Sequence, residues 1–426
     1  MAEQDKVFEK CAWRLIPFMM LLYVVSFIDR ANVGFAALTM NKDLGFSPSV
    51  FGLGAGLFFI TYTLCQVPST VLLQRVGARR MIFCLMAIWG LLAASNAFVQ
   101  GPQSFYALRL LLGIAEAGFV PGMAFYLTLW FPQAYRALFY GTLTTSIPLA
   151  GVIGGPLSGI ILGMDGWAGI HGWQWMFLME GLPAALLAIA VLKILPDGPA
   201  QATWLNGAEK SAIATSLAPS ATVQDRGLWL TLGDPRVWAL GIAGFFNSCA
   251  AYGLALWLPQ IIHAMGFSNR ATGFVAAVPY IAGMAGMIFW GRSSDVRGDR
   301  IWHIALANLL VAVSFIGACL SQNYLLILIA LTLGAMGLFA SFGPYYSLPS
   351  SFLRGAAAAG GIALVTSILS IGGFVGPVII GIIKEETGSY AASMALLAFG
   401  EVLGALIILA VGRALVPRPN TAQPAI

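Results

Sequence analysis

The sequence predicts an all-α membrane protein with twelve transmembrane helices in two six-helix halves. Charged residues make up only 9% of its 426 residues, whereas a soluble protein carries about 25%, so the bilayer must be the solvent for most of the chain. Apolar runs long enough to cross a bilayer recur along the whole length. Two motifs repeat at one constant spacing, which indicates that one half is a copy of the other.

Each predicted span is an apolar run bounded by charges, turn residues or polar clusters. The twelve spans are 14–38, 51–73, 81–100, 104–131, 137–162, 173–195, 236–264, 271–291, 301–320, 324–347, 357–383 and 390–413. The stretch 196–235 is rich in proline, glycine and charge, which is typical of a linker. We therefore expect an N-terminal half (1–195), a cytoplasmic linker (196–235) and a C-terminal half (236–426).

The basic residues test this arrangement, because cytoplasmic loops carry an excess of lysine and arginine. With both termini in the cytoplasm, three basic residues lie outside (Lys42, Arg270 and Lys384) and two lie inside spans. The other seventeen fall on the cytoplasmic side: Lys6, Lys10, Arg14, Arg75, Arg79, Arg80, Arg136, Lys193, Lys210, Arg226, Arg236, Arg292, Arg297, Arg300, Arg354, Arg413 and Arg418. Miscounting one span would destroy this asymmetry, so it favours twelve.

The internal repeat rests on two motif pairs. A glycine–proline pattern ends at Pro156 in span 5 and recurs at Pro377 in span 11. A basic turn around Gly77 follows span 2, and a similar turn around Gly298 follows span 8. The interval from Pro156 to Pro377 equals the interval from Gly77 to Gly298, and we call this common interval the repeat spacing. Two parallel-related six-span halves are the architecture of major facilitator transporters.

The chain resembles the major facilitator superfamily over essentially its whole length, and within it the anion:cation symporter family. Four motifs carry this resemblance: Phe27–Asn32 in span 1, Tyr62–Pro68 in span 2, Arg109–Gly118 in span 4 and Trp173–Gly181 in span 6. The most similar branch takes up tartrate, phthalate or hydroxyphenylacetate-like acids. The resemblance implies uptake of an organic acid anion together with protons.

Four ionisable residues fall in the middle of predicted spans: Asp29 and Arg30 in span 1, and Arg109 and Glu116 in span 4. A charge at the bilayer centre costs at least about 2.5–3.5 kcal/mol, so such residues are functional candidates that need partners. Arg109 and Glu116 are two helical turns apart and share one face, about 10 Å apart along the axis. The candidate chemistry belongs to the N-terminal half, because the matching positions of the second repeat carry no charge: Ala250, Ala251, Ala330 and Gly337.

One interpretation is purely structural: two neutral ion pairs lock spans 1 and 4 together. The other is that the arginines bind a carboxylate and the acids carry protons. Arginine pairs bidentately with carboxylates and stays charged, and a buried carboxyl group can exchange a proton. The resemblance implies the same roles, with Arg30 and Arg109 in substrate binding, Asp29 and Glu116 in proton coupling, and Tyr62 at the substrate carboxylate.

The sequence departs from the family at several polar positions. Some members have a tyrosine where this chain has Phe27, and relatives have asparagines in span 11 where it has Thr366, Ser367 and Ser370. In span 10, Pro344 is expected to break the helix, and breaks are tolerated where a helix lines a cavity. Ser341 and Tyr345, one turn apart, are therefore candidates to face the substrate, although packing is the alternative.

Four further charges at the loops after spans 2 and 8 are candidates for a cytoplasmic gate: Arg75, Arg79, Asp295 and Arg297. Glu180 near the start of span 6 is interpreted mainly as a structural residue that holds helix ends. Glu401 in span 12 is an isolated acid in an apolar run, and Asn32 and Asn247 favour bonds between helices.

We therefore predict a proton-coupled importer of an organic acid in a bacterial inner membrane, functional as a monomer. The coupling ion is the proton, and we expect no other cofactor, no metal site and no nucleic-acid partner. No polar constellation has the spacing of an enzyme's nucleophile or metal site. The alternative is an exporter of the same fold, because Gly151–Gly159 also resembles the antiporter motif of drug exporters; close helix packing through small residues explains that stretch equally.

Overall fold

A computed structural model describes residues 2–217, 233–353 and 356–415, and only the backbone of 2–4, 350–351, 356–359 and 415. The described chain is helical and contains no strand, which confirms the predicted fold class. Within these residues, twelve helices are long and apolar enough to cross a membrane. They are α1 (Asp5–Asp43), α2 (Pro48–Val76), α3 (Ala78–Phe98), α4 (Pro102–Trp130), α5 (Gln133–Leu162), α6 (Gly172–Ile194), α7 (Pro235–His263), α8 (Asn269–Arg297), α9 (Ile301–Leu320), α10 (Tyr324–Ser347), α11 (Gly360–Thr387) and α12 (Ala391–Ala414).

Three of these helices are interrupted within the membrane. α4 stops at Glu116 and resumes at Phe119, and α5 is interrupted at Thr145. α10 stops at Ala340 and resumes at Phe342. This last break follows from Pro344, as predicted, because proline cannot donate a hydrogen bond to the carbonyl four residues earlier and its ring crowds that carbonyl.

The packing within the first six helices recurs within the last six. In the first half α1 packs on α5 and α6, α2 on α4, and α3 on α4 and α6. In the second half α7 packs on α11 and α12, α8 on α10, and α9 on α10 and α12. Ser47 and Ser268, the serine caps of α2 and α8, are also separated by the repeat spacing. The two halves are therefore structural copies.

We define the linker end of the bundle as the end that holds residues 195–217, and the far end as the opposite one. At the far end the halves meet through α2 against α11 and α5 against α8. A Cβ on Gly155 would lie 2.7 Å from the Gly273 carbonyl oxygen of α8, so this approach requires glycine. Glu385 of α11 accepts hydrogen bonds from Ser47 Oγ (2.8 Å) and the Ser49 amide (2.9 Å) of α2.

Towards the linker end the halves diverge. The far-end half of α2 is buried, with the last close approach to α11 at Phe59 against Gly373. Beyond this point Leu64 and Val67 are 69% and 66% exposed. The close contacts between α2 and α11 therefore lie at the far end.

The described part of the linker packs against the first half. A short helix, Gly207–Ser216, carries Glu209, whose carboxylate forms an ion pair with Lys10 (2.8 Å). The ring of Trp204 stacks on Trp130 at 5.5 Å. Linker residues 218–232 lie outside the described residues. Three of the basic residues predicted on the cytoplasmic side, Arg226, Arg354 and Arg418, lie outside them as well. The domain boundaries and the orientation in the membrane remain predictions.

Candidate functional site

A buried ion pair joins the middle of α1 to the interruption in α4. Arg30 Nε donates to Glu116 Oε2 at 2.7 Å, with the two side chains 8% and 1% exposed. Glu116 is the last residue before the α4 interruption. One turn before it, Gly113 brings α4 against α2, because a Cβ there would overlap the Phe58 carbonyl oxygen. The two residues are 86 positions apart in sequence, so only the tertiary structure brings them into contact.

Arg109 and Arg30 both place their guanidinium groups over the ring of Phe58. The Arg109 guanidinium carbon lies 5.1 Å from the Phe58 ring centroid, and that of Arg30 lies 5.4 Å from it. Arg109 is 3% exposed. Within the described residues, Arg109 Nε and one terminal nitrogen of Arg30 have no hydrogen-bond partner. Two guanidinium groups therefore present unused donors around one ring, which is the chemistry of an anion site.

Asp29 completes the cluster. Its carboxylate accepts a hydrogen bond from Asn32 Nδ2 at 3.1 Å, and its side chain is 3% exposed. Asp29 also interacts electrostatically with Glu116 and with both arginines. The structure thus brings together all four charges that the sequence placed in the bilayer, as two acids and two bases.

Aromatic rings enclose the Arg30 guanidinium. Its carbon lies 4.8 Å from the Tyr62 ring centroid and 4.9 Å from that of Phe27. The predicted substrate contact Tyr62 is buried and stacks on Phe58. Phe27 contributes a ring face and no hydroxyl. Cation–π contacts of this kind stabilise a desolvated guanidinium.

The structure does not bring Ser341 and Tyr345 to this cluster. Ser341 Oγ donates to the Leu338 carbonyl at 2.8 Å within its own helix. The Tyr345 hydroxyl donates to the Leu240 carbonyl of α7, and its ring lies in an apolar cluster with Val237. Both hydroxyl groups therefore donate to backbone carbonyls, that of Ser341 within α10 and that of Tyr345 to α7.

The comparison with known proteins decides the family. The family model described as "Major Facilitator Superfamily" matches residues 19–377 and 240–425. The chain belongs to the Major Facilitator Superfamily. It is a multi-pass membrane transporter, and its resemblance to the organic acid permeases of the superfamily is confirmed.

Two relatives and one solved structure show how far the similarity extends. A "Putative tartrate transporter" of Agrobacterium vitis is 45% identical over 96% of this chain and 95% of that protein. A "Quinolone resistance transporter" of Acinetobacter baumannii is 41% identical over 95% of this chain and 94% of that protein. The fold matches a bacterial homologue of the human lysosomal transporter Spinster in an inward-facing, occupied conformation, with a TM-score of 0.77 and 18% identity over 94% of this chain and 97% of that one.

Three tyrosines of this transporter lie beside the cluster, and the sequence analysis did not identify them as site residues. Tyr252 of α7 lies within hydrogen-bonding reach of Arg30 and packs on Phe59 at 4.3 Å between ring centroids. Tyr140 of α5 and Tyr346 of α10 lie in the vicinity of Tyr62. Tyrosines in apolar spans carry no pattern that separates a cavity wall from packing, so sequence offered no signal for them.

The four predicted gate residues of this transporter lie at two separate helix junctions at the linker end. Arg79 forms an ion pair with Asp197 at 3.0 Å and donates to the Leu192 carbonyl. Asp295 forms an ion pair with Arg300 at 2.5 Å. Arg75 and Arg297 are exposed. None of these bonds joins the first half to the second: Arg79 bonds α6 and the linker, and Asp295 bonds Arg300 of its own half.

Proposed function

We propose that this transporter is a proton-coupled symporter that takes up an organic acid anion, such as tartrate, a sugar acid or an aromatic acid, by alternating access. The observation that carries the proposal is the Arg30–Glu116 ion pair beside the unused donors of Arg109. A substrate carboxylate has the same hydrogen-bonding chemistry as Glu116. It can therefore replace Glu116 on Arg30 once Glu116 takes up a proton.

Charge balance links the proton to the substrate. Asp29 and Glu116 balance Arg30 and Arg109 in a buried region where net charge is costly. A bound carboxylate adds negative charge, and a proton on an acidic side chain removes it. Substrate and proton therefore stabilise each other in the site, which is the requirement for coupled transport.

The names of the relatives support the substrate class. The Agrobacterium relative is called a tartrate transporter and covers almost the whole chain. Tartrate offers carboxylates to the two arginines and hydroxyl groups to the tyrosines beside them. We use L-tartrate as the first probe for this reason.

We propose further that the transporter lies in a bacterial inner membrane with both termini in the cytoplasm and acts as a monomer without enzymatic activity. The linker end then faces the cytoplasm. In the cycle, residues 1–195 and 236–426 rock about the central site, with 196–235 as their connection. When the linker end closes, Arg75, Arg79, Asp295 and Arg297 would form the gate.

The direct test is uptake of labelled L-tartrate into vesicles that contain the purified protein. We expect accumulation only when a proton gradient points inwards, and its loss when a protonophore collapses the gradient. Vesicles without protein control for leakage. Accumulation that persists without a gradient would contradict the symport mechanism.

Closure of the far end should depend on the glycine contact between α5 and α8. We expect Gly155→Ala to slow tartrate counterflow about tenfold, because a Cβ there would lie 2.7 Å from the Gly273 carbonyl oxygen and overpacking costs about 1–3 kcal/mol. Gly141→Ala on the same helix is the control, because nothing lies within 4 Å of its Cβ position. Equal rates for the two variants at matched expression would show that this contact is not needed.

A second candidate function is export of small organic compounds. The Acinetobacter relative, named for quinolone resistance, favours it, as does the resemblance of Gly151–Gly159 to an antiporter motif. In the structure Gly151, Gly155 and Gly159 pack against α8 of the other half, and Gly154 packs against Ile28 of α1. Close helix contacts therefore account for these glycines. Quinolone sensitivity of cells that express the protein separates the two: an exporter raises the tolerated concentration, and an importer of organic acids leaves it unchanged.

A further inference from the structure

Glu180 of α6 is a buried acid that the proposed transport step does not use. Its side chain is 4% exposed. Oε1 accepts a hydrogen bond from Ser158 Oγ of α5 at 2.7 Å. Oε2 has no hydrogen-bond partner within the described residues. A buried carboxylate with one neutral donor is costly in its ionised form.

The neighbours of Glu180 connect it to the charge cluster. α1 brings Asp29 into electrostatic range and places the Asn32 amide within reach of the Glu180 carboxyl group. The same Asn32 amide donates to Asp29 at 3.1 Å. α3 contributes Ala93 and Ala94, which contact the adjacent Gly181. No lysine, arginine or histidine in the described ranges forms an ion pair with Glu180, and the charged group that acts on it is another acid, Asp29.

The second half contains a matched residue. Glu401 lies one repeat spacing after Glu180, and its side chain is 0% exposed. Its carboxyl group accepts a hydrogen bond from Asn247 at 3.4 Å. However, the repeat position of Asp29 is Ala250 in this half. Glu401 therefore shares the burial and the amide neighbour of Glu180 but not the connection to a transport acid.

We propose that Glu180 is a third proton-binding group of the transport site and shares the protonation of the site with Asp29 through Asn32. The proposal rests on the proposed proton-coupled function. With Glu180 protonated, Asp29 and Glu116 balance Arg30 and Arg109, and the cluster is neutral. A substrate carboxylate then brings a negative charge, and a proton from water binds one of these two acids, Asp29 or Glu116, to restore neutrality.

The shared role becomes visible when Asp29 is neutralised. In an Asp29→Asn variant the two arginines face only Glu116. Glu180 no longer lies beside an ionised Asp29, so it releases its proton to water to balance the charge. When the substrate carboxylate binds, Glu180 takes a proton back. Glu180 thus replaces Asp29 as the acceptor, and every proton is exchanged with water.

The test counts the protons that the purified protein takes up per L-tartrate bound, with a pH indicator in weakly buffered detergent solution. We expect Asp29→Asn and Glu180→Gln each to keep the wild-type number. The double variant Asp29→Asn/Glu180→Gln should take up one proton fewer than Asp29→Asn. The control Asp29→Asn/Glu401→Gln should match Asp29→Asn. Normalising to bound tartrate removes differences in the folded fraction.

The outcomes separate the two proposals. If Asp29→Asn already loses the proton and Glu180→Gln removes nothing more, Glu180 is only structural, while the proton-coupled function stands. If Asp29→Asn/Glu401→Gln takes up as few protons per tartrate as Asp29→Asn/Glu180→Gln, the loss is not specific to the transport site. If the wild-type protein binds tartrate without taking up protons, the proposed function itself is overturned.

Discussion

A Glu116→Gln variant is expected to exchange tartrate across the membrane as fast as the wild-type protein while losing gradient-driven accumulation. The amide oxygen of glutamine can still accept the hydrogen bond from Arg30, so the local packing persists, but the amide cannot bind a proton. With a gradient of about one pH unit, one coupled proton supports about tenfold accumulation. The measurement compares counterflow and accumulation of labelled tartrate in the same vesicles.

Glu401→Gln is the matched control, because Glu401 is equally buried but lies in the half without a charge cluster. It should retain both counterflow and accumulation. Accumulation that survives in Glu116→Gln would show that Glu116 is not required for coupling. The structural interpretation of the Arg30–Glu116 pair would then account for it.

Replacing Arg30 alone should both abolish transport and destabilise the protein. Arg30→Gln leaves the Glu116 carboxylate, which is 1% exposed, without its 2.7 Å partner. Breaking a buried pair by removing one partner costs about 3–5 kcal/mol. We expect a clear fall in the melting temperature in detergent and no tartrate uptake, because the guanidinium that receives the substrate is gone.

The double variant Arg30→Gln/Glu116→Gln separates these two effects. It removes both charges together, so we expect it to recover most of the lost thermal stability. Transport should remain absent, because no cation replaces Arg30 at the α1 position. A double variant that transports tartrate would show that Arg109 alone binds the substrate; one as unstable as Arg30→Gln would show that the ion pair is not the source of the stability.

The fold was largely predictable because the bilayer imposes a simple rule. Backbone groups in hydrocarbon must be satisfied within the segment, so apolar runs become helices. All twelve predicted spans correspond to helices, although several extend further, as the first one does because its helix begins at Ala2. Charged residues near helix ends extend into the aqueous interface, which an apolar-run criterion leaves out.

The site was predictable only in part. Charges in hydrocarbon are rare enough to stand out, so Asp29, Arg30, Arg109 and Glu116 were identified from sequence. Ser341 and Tyr345 share a helix face with the right spacing, but hydrogen bonds to backbone carbonyls turn them elsewhere. Tyr252 contributes from the other half, and its place depends on how the halves meet.

The sequence by itself determined the solvent, the number of spans, the duplication and the four charges that cannot be left unpaired in a bilayer. The tertiary structure alone decided the pairing: Arg30 with Glu116, Arg109 on the shared Phe58 ring, and Asn32 between Asp29 and Glu180. The physical reason is that burial depends on each residue's own chemistry, whereas pairing depends on close helix approaches. Those approaches are set by small residues such as Gly113 and Gly155, whose partners lie far away in the chain.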